Sequence, residues 1–90
     1  MKFRTLEVYE LTTEDNYTLR ASFEDVDVTF SCCQKPADIL AMQGDRVVAA
    51  FHAWEDCPVE IQADHIEVHG GAIFLPQPVT VNGYGKWILR

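Results

Sequence analysis

Along most of the chain apolar and polar residues alternate in short runs. In residues 17–23, Tyr17, Leu19, Ala21 and Phe23 are separated by Thr18, Arg20 and Ser22, the period of two of a strand with one wet face. Residues 26–30 repeat the pattern, with Val26, Val28 and Phe30 facing inward and Asp27 and Thr29 outward. Only Glu24 and Asp25 lie between these runs, so an antiparallel hairpin is expected. Its turn should be longer or bulged, because Glu-Asp lacks the positive-φ preference of the best two-residue turns.

A first strand is expected over residues 3–11, with Leu6 and Val8 on one face, ended by a turn over residues 12–16. One segment reads as helical. Pro36 suits a first helical position, residues 37–43 include good helix formers, and Gly44 suits the left-handed residue that ends a helix. Residues 46–54 are apolar on both faces and form the most buried strand expected. In residues 59–63, Val59, Ile61 and Ala63 face inward. The next inward pair, Ile66 and Val68, has the opposite parity, so Asp64 and His65 must host a bulge or turn. Residues 72–75 and 79–81 follow as strands around Pro76 and Pro78, and Asn82-Gly83 closes a hairpin into residues 84–89. The sum is one domain over residues 1–90, mainly β with one short helix: a small antiparallel barrel or sandwich of six to eight short strands, SH3-like or OB-like.

Composition agrees with a folded domain: 48% of the residues are hydrophobic, including two Trp, three Tyr and five Phe. No run approaches the roughly 18 apolar residues that a membrane helix needs. The N-terminal residues have alternating charge in place of a signal peptide's apolar run, so the expected location is cytoplasmic. The three cysteines, Cys32, Cys33 and Cys57, are an odd number, with two adjacent; reduced thiols are expected.

Charge narrows the function classes. The net charge of -7 argues against direct binding to nucleic acid or an anionic membrane. Residues 47–85 contain no Lys or Arg, yet include Glu55, Asp56, Glu60, Asp64 and Glu67. These five carboxylates are the candidate partner-binding residues, expected to face outward.

Candidate chemistry centres on residues 64–71, where His65 and His69 stand four apart around Glu67. On a helix that spacing puts both rings on one face, as in zinc proteases, but there Glu directly follows the first His and here Ile66 does. On a strand, positions four apart lie about 13 Å from each other, too far to share an ion at zinc bond lengths. His52 and the cysteines show no Cys-x-x-Cys clamp. No metal and no cofactor is therefore expected, and the row reads as the solvated face of a strand. Glu24, Asp25 and Asp27 lack the pattern of a calcium loop. Cys57 follows Glu55 and Asp56, whose charge disfavours a thiolate, and no enzymatic activity is expected. Trp54, Tyr84 and Trp87 read as packing residues.

No motif carries a resemblance to a known family. The expected function is a non-enzymatic protein-interaction module whose acidic surface docks on a basic, nucleic-acid-binding surface of a target protein, in the manner of a phage-type inhibitor of a host defence complex. The alternatives are an assembly subunit that associates, with copies of itself or with other chains, through an exposed sheet edge, and a small metal-binding domain.

Overall fold

The computed structural model describes residues 1–13, 16–30, 37–53, 59–75 and 84–90. They form seven strands: β1 (Lys2–Thr13), β2 (Asn16–Phe30), β3 (Ala37–Gln43), β4 (Arg46–Ala53), β5 (Val59–Ile61), β6 (Ile66–Phe74) and β7 (Tyr84–Leu89). All pairings are antiparallel, in the order β4-β3-β2-β1-β7-β6-β5, and a further β4–β6 pairing closes the sheet. The product is a six-stranded antiparallel barrel with one extra strand.

The extra strand has a simple place. One edge of β6 is filled by β7, from Ile66 to Gly71. The other edge takes β5 opposite Val68, Glu67 and Ile66, and then β4 opposite Gly70, Gly71, Ala72 and Phe74. β4 and β5 thus run in line along β6 as one interrupted wall strand. Counted together they make six walls, each beside its neighbour in sequence. This up-and-down path differs from the Greek-key winding of an OB barrel, and an even number of walls lets antiparallel pairing close on itself.

The interior is filled in alternation from every wall. Leu6 and Val8 of β1, Val26 and Val28 of β2, Ile39 and Ala41 of β3, Ala49 and Phe51 of β4, Val68 of β6, and Trp87 and Leu89 of β7 are buried in one cluster. Phe51 and Trp87 are its bulkiest members, their rings 5.0 Å apart and tilted by 39°. Gly70 and Gly85 stand opposite each other, both buried, next along the inward rows from Val68 and Trp87. The pair beside the largest core side chain therefore has no side chain. The strand expected to be most buried buries both faces only over residues 49–51, where outward Ala50 is covered as well as Ala49 and Phe51; Val47 is 40% exposed.

Three expectations need correction. Residues 37–43 form strand β3, and there is no helix among the described residues. The period of two was present in Ile39 and Ala41, buried around exposed Leu40, and pairing with β2 and β4 overrides the helical propensity of Ala, Leu, Met and Gln. Gly44 is left-handed as expected, at φ 62°. It serves as the first residue of the two-residue Gly44-Asp45 turn between the paired Gln43 and Arg46, the φ pattern of a type II′ hairpin.

Second, Glu24 and Asp25 are no hairpin turn. β2 runs through them as one strand, paired with β1 in the same register on either side of Asp25, Phe3 opposite Val26 and Thr5 opposite Glu24. The inward residues change parity there, from Ala21 and Phe23 to Val26 and Val28, and Asp25 takes a φ of 54°. β1 changes parity opposite, from Phe3 to Leu6, where the carbonyl of Arg90 accepts from the amides of both Arg4 (2.7 Å) and Thr5 (3.2 Å). A bulge switches the faces of a continuing strand, much as a turn would between two strands. A further shift between Val8 and Tyr9 leaves Arg20 unopposed. It puts Leu19, 48% exposed, outside the barrel instead of inside.

Third, β5 ends at Ile61, which is 80% exposed, and Ala63 is exposed, so neither is a core residue. The expected turn at Asp64 and His65 is present, the amide of Gln62 donating to the carbonyl of His65 at 2.9 Å. Residues 79–83, with the Asn82-Gly83 turn, lie outside the described residues, as do Trp54 and the three cysteines.

The bend in β2 can be tested. Asp is among the few side chains that tolerate positive φ, glycine is freer still, and a β-branched residue is not. Asp25→Val is expected to lower stability by more than about 1 kcal/mol and Asp25→Gly to leave it within about 0.5 kcal/mol. Equal denaturation midpoints for the two variants would contradict the assignment.

Candidate functional site

The pleat that turns Val68 and Trp87 inward turns their neighbours outward. On β6 these neighbours are Glu67 and His69, and on β7 Lys86, directly opposite His69. On the other side of β6, Glu60 of β5 is directly opposite Glu67. Two carboxylates so placed repel. The surrounding side chains show how the pair is accommodated.

Glu67 is the hub, and its side chain is only 19% exposed. Its Oε2 lies 2.9 Å from Nε2 of His65, while Oε1 lies 3.6 Å from Nζ of Lys86 and 3.5 Å from Nε2 of His69. His65 also touches Asp64, Nδ1 to Oδ1 at 2.7 Å. Ionised carboxylates only accept, so only the doubly protonated imidazolium can donate to both. Lys86 is steadied by a second contact, its Nζ 4.2 Å from the centre of the Tyr17 ring. That ring faces outward because of the shift in β1–β2 pairing beyond Val8.

Titration follows the contacts. The hydrogen bond to Glu67, and next that to Asp64, hold the His65 imidazole above its usual value. The His65 bond holds Glu67 below the usual carboxylate range, with Lys86 and His69 adding to it. Asp64 is lowered chiefly by its own bond to His65.

His69 stands apart from this arrangement. Its Nε2 is shielded from solvent and makes no hydrogen bond among the described residues. It points between two carboxylates, 3.5 Å from Oε1 of Glu67 and 4.0 Å from Oε2 of Glu60. The ring of Tyr84 lies beside it, with centroids 6.3 Å apart. The ligand atoms of Glu60, Glu67 and His69 all lie within 4.8 Å of one another.

The five carboxylates expected to present an acidic surface thus have different fates. Glu60 and Asp64 are outward, with side chains 57% and 81% exposed. Glu67 is outward on the strand but enclosed by His65, His69 and Lys86. Glu55 and Asp56 lie outside the described residues. A counter-cation does reach the acidic stretch: Lys86, one position past its end, is brought in by β6–β7 pairing. His65 and His69 do not share an ion-binding position: His65 lies against Asp64 and Oε2 of Glu67, whereas His69 faces Glu60 and Oε1 of Glu67.

A cleft of about 370 Å³ is lined by Phe3, Val26, Met42 and Gly44 with Lys2, Asp25 and Asp27. Asp27 is held there by the N-terminal ammonium at 2.9 Å, so less unused chemistry gathers in it than around His69. Comparison with protein-family models, curated proteins and solved structures gives no match to the chain.

The network predicts a pH profile. A raised folded-state pKa means that the contribution of His65 is complete below about pH 6.5, its value in the unfolded chain, and is lost as pH rises through the higher folded value. The lowered values of Glu67 and Asp64 mean that theirs is complete above about pH 4.5 and is lost as pH falls. Stability should be greatest between these limits. His65→Ala should flatten the decline above pH 6.5, measured by denaturation from pH 4 to 9; an unaltered decline would show that His65 is not the group responsible.

Proposed function

We propose that this chain is a non-enzymatic protein-interaction module that engages a basic surface of a target protein through the corner where β5 meets β6. The observation that carries the reading is the placement of Glu60 and Asp64, exposed at that corner on a chain of net charge -7. His65 is shared between Asp64 and Glu67, and Lys86 lies against Glu67, so these two cations leave the three carboxylates of the corner with a net negative charge. A negative rim above a neutralised hub attracts a basic partner at long range and orients it on approach. Basic surfaces are commonly where proteins hold nucleic acid, so occupation of one would inhibit nucleic-acid binding by the target, as phage-type inhibitors of defence complexes do.

One observation favours assembly through a sheet edge as a second reading. Among the described residues, β2 has no neighbouring strand on its second side over residues 18–26, because its pairing with β3 begins at Asp27, although Gln43 Nε2 donates to the carbonyl of Glu24 there at 2.6 Å. Arg20, Glu24 and Asp25 punctuate that edge, and charges there discourage edge-to-edge pairing. The acidic corner is the better supported of the two.

Exposed carboxylates contribute little to folding, under about 1 kcal/mol each. Glu60→Lys/Asp64→Lys should therefore remain folded. Glu67 is left intact, because a lysine there would face His65, His69 and Lys86. Affinity capture from the source cells with wild-type and double-variant protein, read by mass spectrometry, is expected to yield a basic partner that the variant and added salt both release. A partner retained equally by the folded variant at all salt concentrations, or salt-insensitive self-association alone, would replace this reading with the edge-assembly one.

A further inference from the structure

We propose that Glu60, Glu67 and His69 form a three-ligand site for a divalent first-row transition metal ion, with zinc the reference case. This inference shares Glu60 with the docking proposal but does not rest on it; it rests on the geometry between β5 and β6.

Three features converge. Register places Glu60 directly across from Glu67, and the pleat puts His69 on the same face two residues along. Ligands around a tetrahedral ion with bonds of about 2.0–2.1 Å are separated by about 3.4 Å. Nε2 of His69 lies 3.5 Å from Oε1 of Glu67 and 4.0 Å from Oε2 of Glu60, and the three ligand atoms lie within 4.8 Å of one another, so closing on an ion requires the exposed Glu60 carboxylate to move inward by roughly an ångström. The second feature is the orphaned nitrogen itself. Nε2 of His69 is sheltered from water and has no hydrogen-bond partner among the described residues, which is costly unless something binds there. The third is support outside the ligand set. The other oxygen of Glu67 is held by His65 at 2.9 Å, so Oε1 is the oxygen turned toward His69, as in built metal sites where a hydrogen bond orients a ligating carboxylate.

The donor set selects the ion. One imidazole nitrogen and two carboxylate oxygens suit zinc and its first-row neighbours. Calcium and magnesium prefer all-oxygen surroundings and more ligands. The two carboxylates balance the dipositive charge. Lys86 is the resident competitor, its ammonium 3.6 Å from Oε1 of Glu67. It must give way or share that carboxylate, so it sets the affinity below that of an unencumbered site.

The test uses the full 15N-labelled chain, titrated with zinc chloride and followed by histidine ring 1H–15N spectra together with calorimetry. The ring readout separates this site from binding by the cysteine thiols. The expected result is a shift of the His69 Nε2 resonance that saturates at one equivalent while the His52 ring is unmoved. Glu60→Gln, at an exposed position and so folded, should weaken binding about tenfold or more. Lys86→Gln should tighten it by removing the competing charge. The proposal is overturned if zinc leaves the His69 ring unmoved, if heat is released only through the thiols, or if folded Glu60→Gln binds as tightly as wild type.

Discussion

The structure depends on β6, which hydrogen-bonds to three strands at once. With β7 on one edge and β5 and then β4 on the other, it turns a meander into a closed wall. An open meander of this length would have two free edges and an apolar face with nothing to cover it. Closure removes the β4 edge and lets Val68 and Trp87 meet Phe51 and the valines of β2 in one cluster. It also fixes the surface chemistry, because the same pairings that seat the core bring Glu60, His69 and Lys86 around Glu67.

Closing so short a barrel requires strands to bend, and the bends explain where the sequence was hard to read. Residues 21–28 carry two in-phase apolar rows offset by one position. That offset is written in the chain, but its cause is not: a turn and a bulge both shift parity by one. What decides between them here is long-range, the carbonyl of Arg90 accepting from two successive amides of β1 and the pairing of β1 with β2 in one register on both sides of Asp25. The mistaken helix has a similar origin. Residues 37–43 have helix-forming composition and only Ile39 and Ala41 as a buried alternating pair, while the glycine that would end a helix equally suits a hairpin. Where a strand had clear alternation and unambiguous neighbours, as at Leu6 and Val8 or at Val68 beyond the Asp64-His65 turn, pattern alone located the core.

The candidate site was legible residue by residue and not as a whole. Spacing along the chain correctly separates His65 from His69, and it shows Glu67 between them. It cannot show Glu60 opposite Glu67, since β5 is three residues long and its register is set by pairing. Nor can it show Lys86, 19 positions from Glu67 in sequence and 3.6 Å away in space. The absence of Lys and Arg from residues 47–85 is true of the chain and misleading about the surface. A linear window counts charges on one strand, whereas a sheet supplies them from the next.

Core and site share one constraint. Trp87 and Lys86 are adjacent on β7, so a slip of one residue against β6 would expel the indole from the interior and drive the ammonium into it. Losing a buried Trp side chain costs about 3–5 kcal/mol, and an unpaired buried ammonium adds several more. For a small domain whose total stability is on the order of 5–15 kcal/mol, such a slip is equivalent to unfolding. The burial of Trp87 therefore holds Lys86 against Glu67. Val68, placed between Glu67 and His69, likewise holds those two side chains on the outer wall. The polar cluster need not supply its own rigidity: its geometry is imposed from beneath by the apolar residues that alternate with it.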